Sequence, residues 1–191
     1  TLADEMGATL SARAEAQGLS SSVSIPAALP ELVMGDRARL RAALENLIDN
    51  AVKFTERGQV GFAVSAARAA RGRHRITFVV TDSGVGLSKK ELAQLFRPFG
   101  QASAAVARRF GGSGLGLAIS RRLVDAMGGL IGMEPAQGGG SIFWFTSRPG
   151  LGAAVLAMRA LRKLMTRGLA SAKNSLAAAA TSSWAATSAA R

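Results

Sequence analysis

Between Asp36 and residue 67 the spacing of the apolar residues changes from that of a helix to that of a strand. Beyond Asp36, a residue type that caps helix starts, Leu40, Leu44, Leu47, Ala51 and Phe54 recur every third or fourth position. Directly afterwards Val60, Phe62 and Val64 occupy alternate positions, the period of a strand with one face buried. A one-sided helix and a one-sided strand each need a covering layer, so the remaining segments must build a sheet with helices packed against it.

The flanking segments fit that requirement. Residues 1–17 are rich in Ala and Glu and stop at Gly18, the pattern of a helix with a glycine terminator. Residues 23–25 read as a short strand ahead of Pro26 and Pro30, and residues 59–67 and 73–81 as an antiparallel pair turning at Arg71-Gly72. Residues 115–127 form a second amphipathic pattern closed by Gly128-Gly129, followed by strand patterns at 130–134 and 141–147. Between the pair and that helix, residues 82–114 are glycine-rich and too long for a plain connection, which marks a functional loop, with a short helix expected at 89–95. The order is α, β, α, β, β, loop, α, β, β: an α+β sandwich.

A chain of 191 residues with 48% hydrophobic content can bury one sizeable core, assigned here to residues 1–149. The net charge is +12, but from Gly150 onward there is no acidic residue, and Arg159, Arg162, Lys163, Arg167, Lys173 and Arg191 carry half of it. Residues 150–191 are therefore read as a basic, Ala/Ser-rich tail. Within it Leu151, Val155, Met158, Met165 and Leu169 line one face of a helix if one forms; a weakly helical linker is the competing reading. No aromatic residues interleave with the tail's charges as single-strand binding requires, so nucleic acid is not expected as a partner. With no cysteine and the single His74, disulfides, thiolate sites and a zinc centre are excluded. No apolar run approaches the ~20 residues of a membrane span and no secretory pattern opens the chain, so a cytoplasmic location is expected. Opening on Thr1 within a helical pattern, it reads as a piece of a longer protein whose membrane anchor, if any, lies elsewhere.

Three groups of residues carry candidate chemistry. Asn46, Asn50 and Lys53 share one face of the Asp36 helix, beside its apolar stripe. Asn is poor in mid-helix, and an amide oxygen can ligate Mg²⁺ beside phosphate oxygens while an ammonium balances phosphate charge. Ion pairing alone, Asp49 with Lys53 and Arg41 with Glu45, would equally account for the helix. Asp82-Ser83-Gly84-Val85-Gly86 follows an apolar strand: its carboxylate can accept from an exocyclic amino group and its glycines admit a flat base, although the same run also suits an ordinary turn. Arg108-Arg109-Phe110-Gly111-Gly112-Ser113-Gly114-Leu115-Gly116-Leu117 runs from glycines into a helix start, which suits phosphates; neither a P-loop nor a Rossmann setting accompanies it. Between the last two, Phe96-Arg97-Pro98-Phe99 offers two aromatic anchors for a mobile segment, or plain core filling.

Taken in order, Asn46-Leu47-Ile48-Asp49-Asn50-Ala51-Val52-Lys53-Phe54-Thr55, Asp82 to Gly86, Phe96 to Phe99 and Gly112 to Leu117 resemble the four boxes of the ATP-binding catalytic domains of bacterial sensor and hybrid histidine kinases. These kinases share a superfamily with gyrase, mismatch-repair and heat-shock-chaperone ATPases. The resemblance implies a Bergerat-type two-layer α/β sandwich with a mixed, mostly antiparallel sheet, helices on one face and a mobile lid over ATP. It implies Asn50 as the Mg²⁺ ligand, Asn46 and Lys53 supporting the triphosphate, Asp82 recognising adenine, and Gly84 and Gly86 shaping the base pocket. Phe96 and Phe99 would anchor the lid, Gly112, Gly114 and Gly116 would hold phosphates, and Arg109, with Arg108 second, would bring a cation to the γ-phosphate. Phe54, Leu87, Leu115 and Leu117 complete the nucleotide-binding set. Residues 103–107, Ser-Ala-Ala-Val-Ala, depart from the acidic and hydroxyl residues of many relatives.

The activity so implied is γ-phosphoryl transfer to a histidine on a separate dimerisation hairpin, with relay to a response-regulator receiver domain. His74 is followed by Arg75 inside a strand pattern and does not match the acceptor. Hydrolytic members of the superfamily place a Glu one helical turn before the Mg²⁺-binding Asn; here that position is Asn46, and Glu45 points ~100° away. A serine kinase of the anti-sigma type, which needs no hairpin, and a catalytically silent docking module are two competing readings of the same fold.

Overall fold

The computed structural model describes residues 1–27, 29, 32–68, 74–87, 91, 95, 96, 114–147 and 155–157. Helix α1 spans Leu2–Ala16, where Thr1 accepts the Asp4 backbone N–H at 3.5 Å and Asp4 and Glu5 sit at the positive end of the helix dipole. It stops at Gly18, whose φ of 69° lets the Leu19 N–H turn back to the Ala14 carbonyl at 2.9 Å. Helix α2, Arg37–Lys53, begins as expected: the Asp36 carboxylate accepts from the Arg39 N–H at 3.0 Å. Helix α3 spans Gly116–Ala126.

The main sheet is built from β1 (Ser20–Ser24), β3 (Gln59–Arg68), β4 (His74–Asp82), β5 (Ile131–Pro135) and β6 (Ser141–Ser147), in the order β1-β3-β4-β6-β5. β1 runs parallel to β3 and every other pair is antiparallel. Register stacks the inward side chains in rungs. Val64, Phe78, Phe145 and Ile131 lie side by side, then Phe62, Val80, Phe143 and Met133, then Val60, Asp82, Ser141 and Pro135. The first two rungs merge with Leu2, Met6 and Leu10 of α1, Leu44, Leu47 and Ile48 of α2, and Val124 of α3 into one core on one side of the sheet. The Phe78 and Phe145 rings meet at 5.0 Å between centroids, within the range where tilted aromatic pairs attract.

The third rung positions the site. Continuing the inward period of β4 by one step beyond Val80 brings Asp82 onto the core side, 7% exposed, at the rim where the strand ends. A carboxylate thus occupies a slot that alternation would give to an apolar residue.

Two differences from the sequence expectations concern strands. β1 begins at Ser20 and ends at Ser24 because pairing with Gln59 to Ala63 fixes it, whereas serines contribute little strand signal of their own. A second small sheet pairs β2 (Leu32–Met34) antiparallel with β7 (Val155–Ala157). Val155, which would line a helical face of the tail if a helix formed, is extended here; the edge of β2 supplies backbone hydrogen bonds that a three-residue window of sequence cannot reveal. The Arg71-Gly72 turn and most of the expected helix at 89–95 lie outside the described residues.

Candidate functional site

The apolar stripe of α2 fixes its rotation. With Leu40, Ala43, Leu44, Leu47, Ile48, Ala51 and Val52 buried, Asn46, Asn50 and Lys53 fall at the rim, each half-buried. Asn46 reaches across to α3: its Nδ2 donates to the Ser120 Oγ at 3.2 Å and to the Gly116 carbonyl at 3.4 Å. Asp49 pairs with Arg13 of α1. Glu45 accepts from the Arg41 Nε at 3.0 Å, and Arg41 also meets Glu5 of α1 at 3.3 Å, so this acidic pair belongs to the α1–α2 seam. The Lys53 ammonium stands 5.4 Å from the centroid of the Phe54 ring. Thr55 closes the helix by donating to the Ala51 carbonyl at 2.7 Å.

Three segments converge at Asp82. The Gly84 N–H donates to its Oδ1 at 2.9 Å, and Ser141 hydrogen-bonds it through both side chain and backbone. Burial pushes the Asp82 carboxyl above its ordinary range, and the bonds from Gly84 and Ser141 pull against that shift without cancelling it. Gly84 lies against the end of α2: a Cβ there would come 2.2 Å from the Phe54 carbonyl oxygen. Gly140, in the β5–β6 turn, lies as close on the other side, with a Cβ position 1.9 Å from the Asp82 carbonyl oxygen. Gly86, at φ 65°, faces Gly140, and Leu87 packs against the core while Val85 is exposed. The result is a closely packed glycine cradle around one buried carboxylate, a group that can accept from an amino group.

At the other end of the site, Gly114 adopts φ 69° and delivers the chain into α3, whose start has no side-chain cap. Gly116 lies beside Asn46: a Cβ on it would be 3.5 Å from Asn46 Oδ1. Leu117 joins the core and Leu115 is half-buried. Phe96 is partly buried against the core and under the Arg121 guanidinium at 6.0 Å. Phe99, Arg108, Arg109 and Gly112 lie outside the described residues. His74 opens β4 opposite Arg68, at the end of the strand remote from Asp82.

Ser141 and Gly140 are part of the cradle, and sequence reasoning does not find them. The run Gly138-Gly139-Gly140-Ser141 ahead of a strand is the available signal, but it looks like any hairpin turn until β6 is known to lie beside β4. The donor set on α2 suits a magnesium ion. Among the described residues no cluster of three His, Cys, Asp or Glu could cage a metal, whereas Mg²⁺ is commonly held by one or two protein oxygens with phosphate and water, a role the Asn50 amide can fill.

The family model described as histidine kinase-, DNA gyrase B- and HSP90-like ATPase matches residues 35–151. The signal transduction histidine-protein kinase BarA of Escherichia coli is 37% identical over 142 residues, 74% of this chain and 16% of BarA. The sensor histidine kinase AruS of Pseudomonas aeruginosa is 49% identical over 106 residues, 56% of this chain and 11% of AruS. Among solved structures, full-length ShkA in complex with AMPPNP superposes with a TM-score of 0.65 at 35% identity, covering 80% of this chain and 30% of ShkA. The chain thus spans less than a fifth of the length of these curated relatives. It belongs to the histidine kinase-, DNA gyrase B- and HSP90-like ATPase family, in the form found as the ATP-binding catalytic domain of sensor histidine kinases.

Proposed function

We propose that this domain binds Mg²⁺-ATP and transfers its γ-phosphoryl group to a histidine on a dimerisation hairpin outside the chain, for relay to a receiver-domain aspartate. The observation that carries the proposal is the buried Asp82 carboxylate, held by Gly84 and Ser141 in a cradle so closely packed that a Cβ on Gly84 or Gly140 would collide with backbone. Asp82 accepts from the adenine amino group, Gly84 and Gly86 leave room for the base, and Phe54 and Leu87 border it. Asn50 offers its Oδ1 to Mg²⁺, which when bound neutralises charge on the β- and γ-phosphate oxygens. Asn46 and Lys53 support the triphosphate from α2. Gly112, Gly114 and Gly116, with Leu115 and Leu117, present the lid's end and the first turn of α3 to the phosphates. Arg109, backed by Arg108, supplies the lid cation, and Phe99 anchors the lid with Phe96.

In the transfer itself an imidazole nitrogen attacks the γ-phosphorus. The bond to the β–γ bridging oxygen breaks, ADP departs with that electron pair, and the imidazole gives up its proton. Placement of Glu45 favours transfer over hydrolysis. The position from which hydrolytic relatives activate water is Asn46, an amide with no basic site, while Glu45 is engaged by Arg41 at the α1–α2 seam. Among the described residues no helix is long and apolar enough to cross a membrane.

The test is Mg²⁺-dependent binding of a fluorescent ATP analogue to the chain and to folded Asn50→Ala and Asp82→Ala variants. Saturable binding that both substitutions weaken at least tenfold supports the nucleotide site. A folded parent that binds nothing supports the silent docking module instead.

A further inference from the structure

Ser120 has no assigned role, yet its surroundings are unusual. It lies one turn into α3, 0% exposed, where alanine would satisfy both helix propensity and packing. A hydroxyl sealed between two helices is retained at a cost unless it is hydrogen-bonded, and its partner here is the Asn46 amide at 3.2 Å. The second hydrogen of that amide goes to the Gly116 carbonyl at 3.4 Å. Gly116 and Ser120 are four residues apart, so they stack on one side of α3's first turn and Asn46 spans that turn.

The consequence concerns the amide's orientation. With Nδ2 committed to α3, the remaining polar atom of Asn46 is Oδ1, an acceptor, lying 3.5 Å from where a Cβ on Gly116 would stand. A flipped amide would set Oδ1 against the Gly116 carbonyl, two acceptors face to face, and against the Ser120 hydroxyl, which can donate to it. The Gly116 carbonyl therefore selects the flip state, and the Ser120 hydroxyl ties the amide to α3 in that state. Asn46 is thereby fixed as a strut between α2, which carries Asn50 and Lys53, and the helix start that follows Gly114.

We propose that Ser120 is a positioning residue for the triphosphate, acting through Asn46 to hold the first turn of α3 in one register against Asn50 and Lys53. The proposal deepens the nucleotide-binding assignment above and rests on it. Ser120 contacts Asn46 and is not among the residues of the Asp82 cradle, so its influence is expected at the phosphate end of the ligand.

The experiment compares Mg²⁺-AMPPNP with ADP as competitors of a fluorescent nucleotide, on the same preparations of parent, Ser120→Ala, Asn46→Ala and the double variant. Both affinities come from one sample, so their ratio is independent of the fraction of correctly folded protein. Loss of one hydrogen bond in a buried network is expected to weaken Mg²⁺-AMPPNP by about five- to tenfold in Ser120→Ala, with ADP changed less than about twofold. In the Asn46→Ala background the Ser120 substitution should have no further effect, because the strut is already gone. An unchanged ratio in Ser120→Ala, equal losses for both nucleotides, or full additivity with Asn46→Ala overturns the positioning role while leaving the nucleotide site standing. A folded parent that binds neither nucleotide overturns both.

Discussion

A Cβ placed on Gly140 would stand 1.9 Å from the carbonyl oxygen of Asp82, so the β5–β6 turn rests directly on the backbone of the residue at the base of the cradle. Gly138, Gly139 and Gly140 all adopt positive φ, but only at Gly140 does the added atom meet anything. This separates two costs that glycine substitutions usually mix. Gly138→Ala, at φ 87° with open space around it, bears backbone strain alone and should lose about 1–2 kcal/mol. Gly140→Ala bears that strain and an overlap with backbone, and should lose about 1–3 kcal/mol more, with nucleotide affinity falling further than stability predicts. Denaturant unfolding of the two variants beside the parent, followed by nucleotide titration, measures both effects.

Asp82 should make binding and stability respond to pH in opposite senses. Burial raises its carboxyl in the folded state above the ordinary value of 3.8 that applies to the unfolded chain. A raised carboxyl pKa means that Asp82 favours folding most below the unfolded value and loses that contribution as pH rises through the folded one. Asp82→Asn removes the buried charge, so the variant's stability relative to parent should be higher at pH 7 than at pH 4. Adenine recognition needs the ionised acceptor, so parent binding should weaken on acidification from a higher pH than an ordinary aspartate would cause. At pH 7 Asp82→Asn should bind at least about tenfold more weakly, the value of one hydrogen bond to a charged group. Unfolding curves and titrations across the acidic range test both directions.

Local period makes most of this fold legible. The stripe from Leu40 to Phe54 and the alternation at Val60, Phe62 and Val64 are decided within a few residues of sequence, and α2 and β3 are found where those patterns place them. β1 and the β2–β7 pair are less legible because Ser20 to Ser24 and the three-residue strands owe their extended form to a distant partner. The site divides in the same way. Asn46, Asn50 and Lys53 announce themselves by helical spacing on one face. The contacts that complete the site are long-range: Asn46 with Ser120, Gly84 with the Phe54 carbonyl, Gly140 with Asp82. A glycine run states that a side chain is unwelcome, and only the neighbour across the gap says why.

The aromatic pair beneath the cradle should carry much of the stability. Phe78 and Phe145 face each other across β4 and β6 with centroids 5.0 Å apart, and both are almost wholly buried. Phe78→Ala should cost about 3–5 kcal/mol through lost transfer energy and the cavity left behind. Phe78 shares the inward face of β4 with Asp82, two rungs away, so the variant's nucleotide affinity at temperatures where it remains folded should fall modestly, by less than about threefold. Thermal unfolding with and without nucleotide separates the two quantities.

Glu45 bears on the choice between transfer and hydrolysis. It is adjacent in sequence to the position from which hydrolytic relatives activate water, which makes it the obvious suspect for any ATP turnover without an acceptor. Its carboxylate, however, is 3.0 Å from the Arg41 Nε, and Arg41 is shared with Glu5 on α1. A helix turns about 100° per residue, so Glu45 and Asn46 cannot address the same ligand from adjacent positions. Glu45→Gln should therefore leave nucleotide binding and any phosphate release unchanged within about twofold. Because the pair is solvent-exposed, stability should fall by no more than about 0.5 kcal/mol. Phosphate release measured on the parent, Glu45→Gln and Asn46→Glu provides the check. A tenfold drop in Glu45→Gln would make Glu45 a base in spite of its geometry, whereas release that appears only in Asn46→Glu would show that the amide at position 46 is what keeps water from being the acceptor.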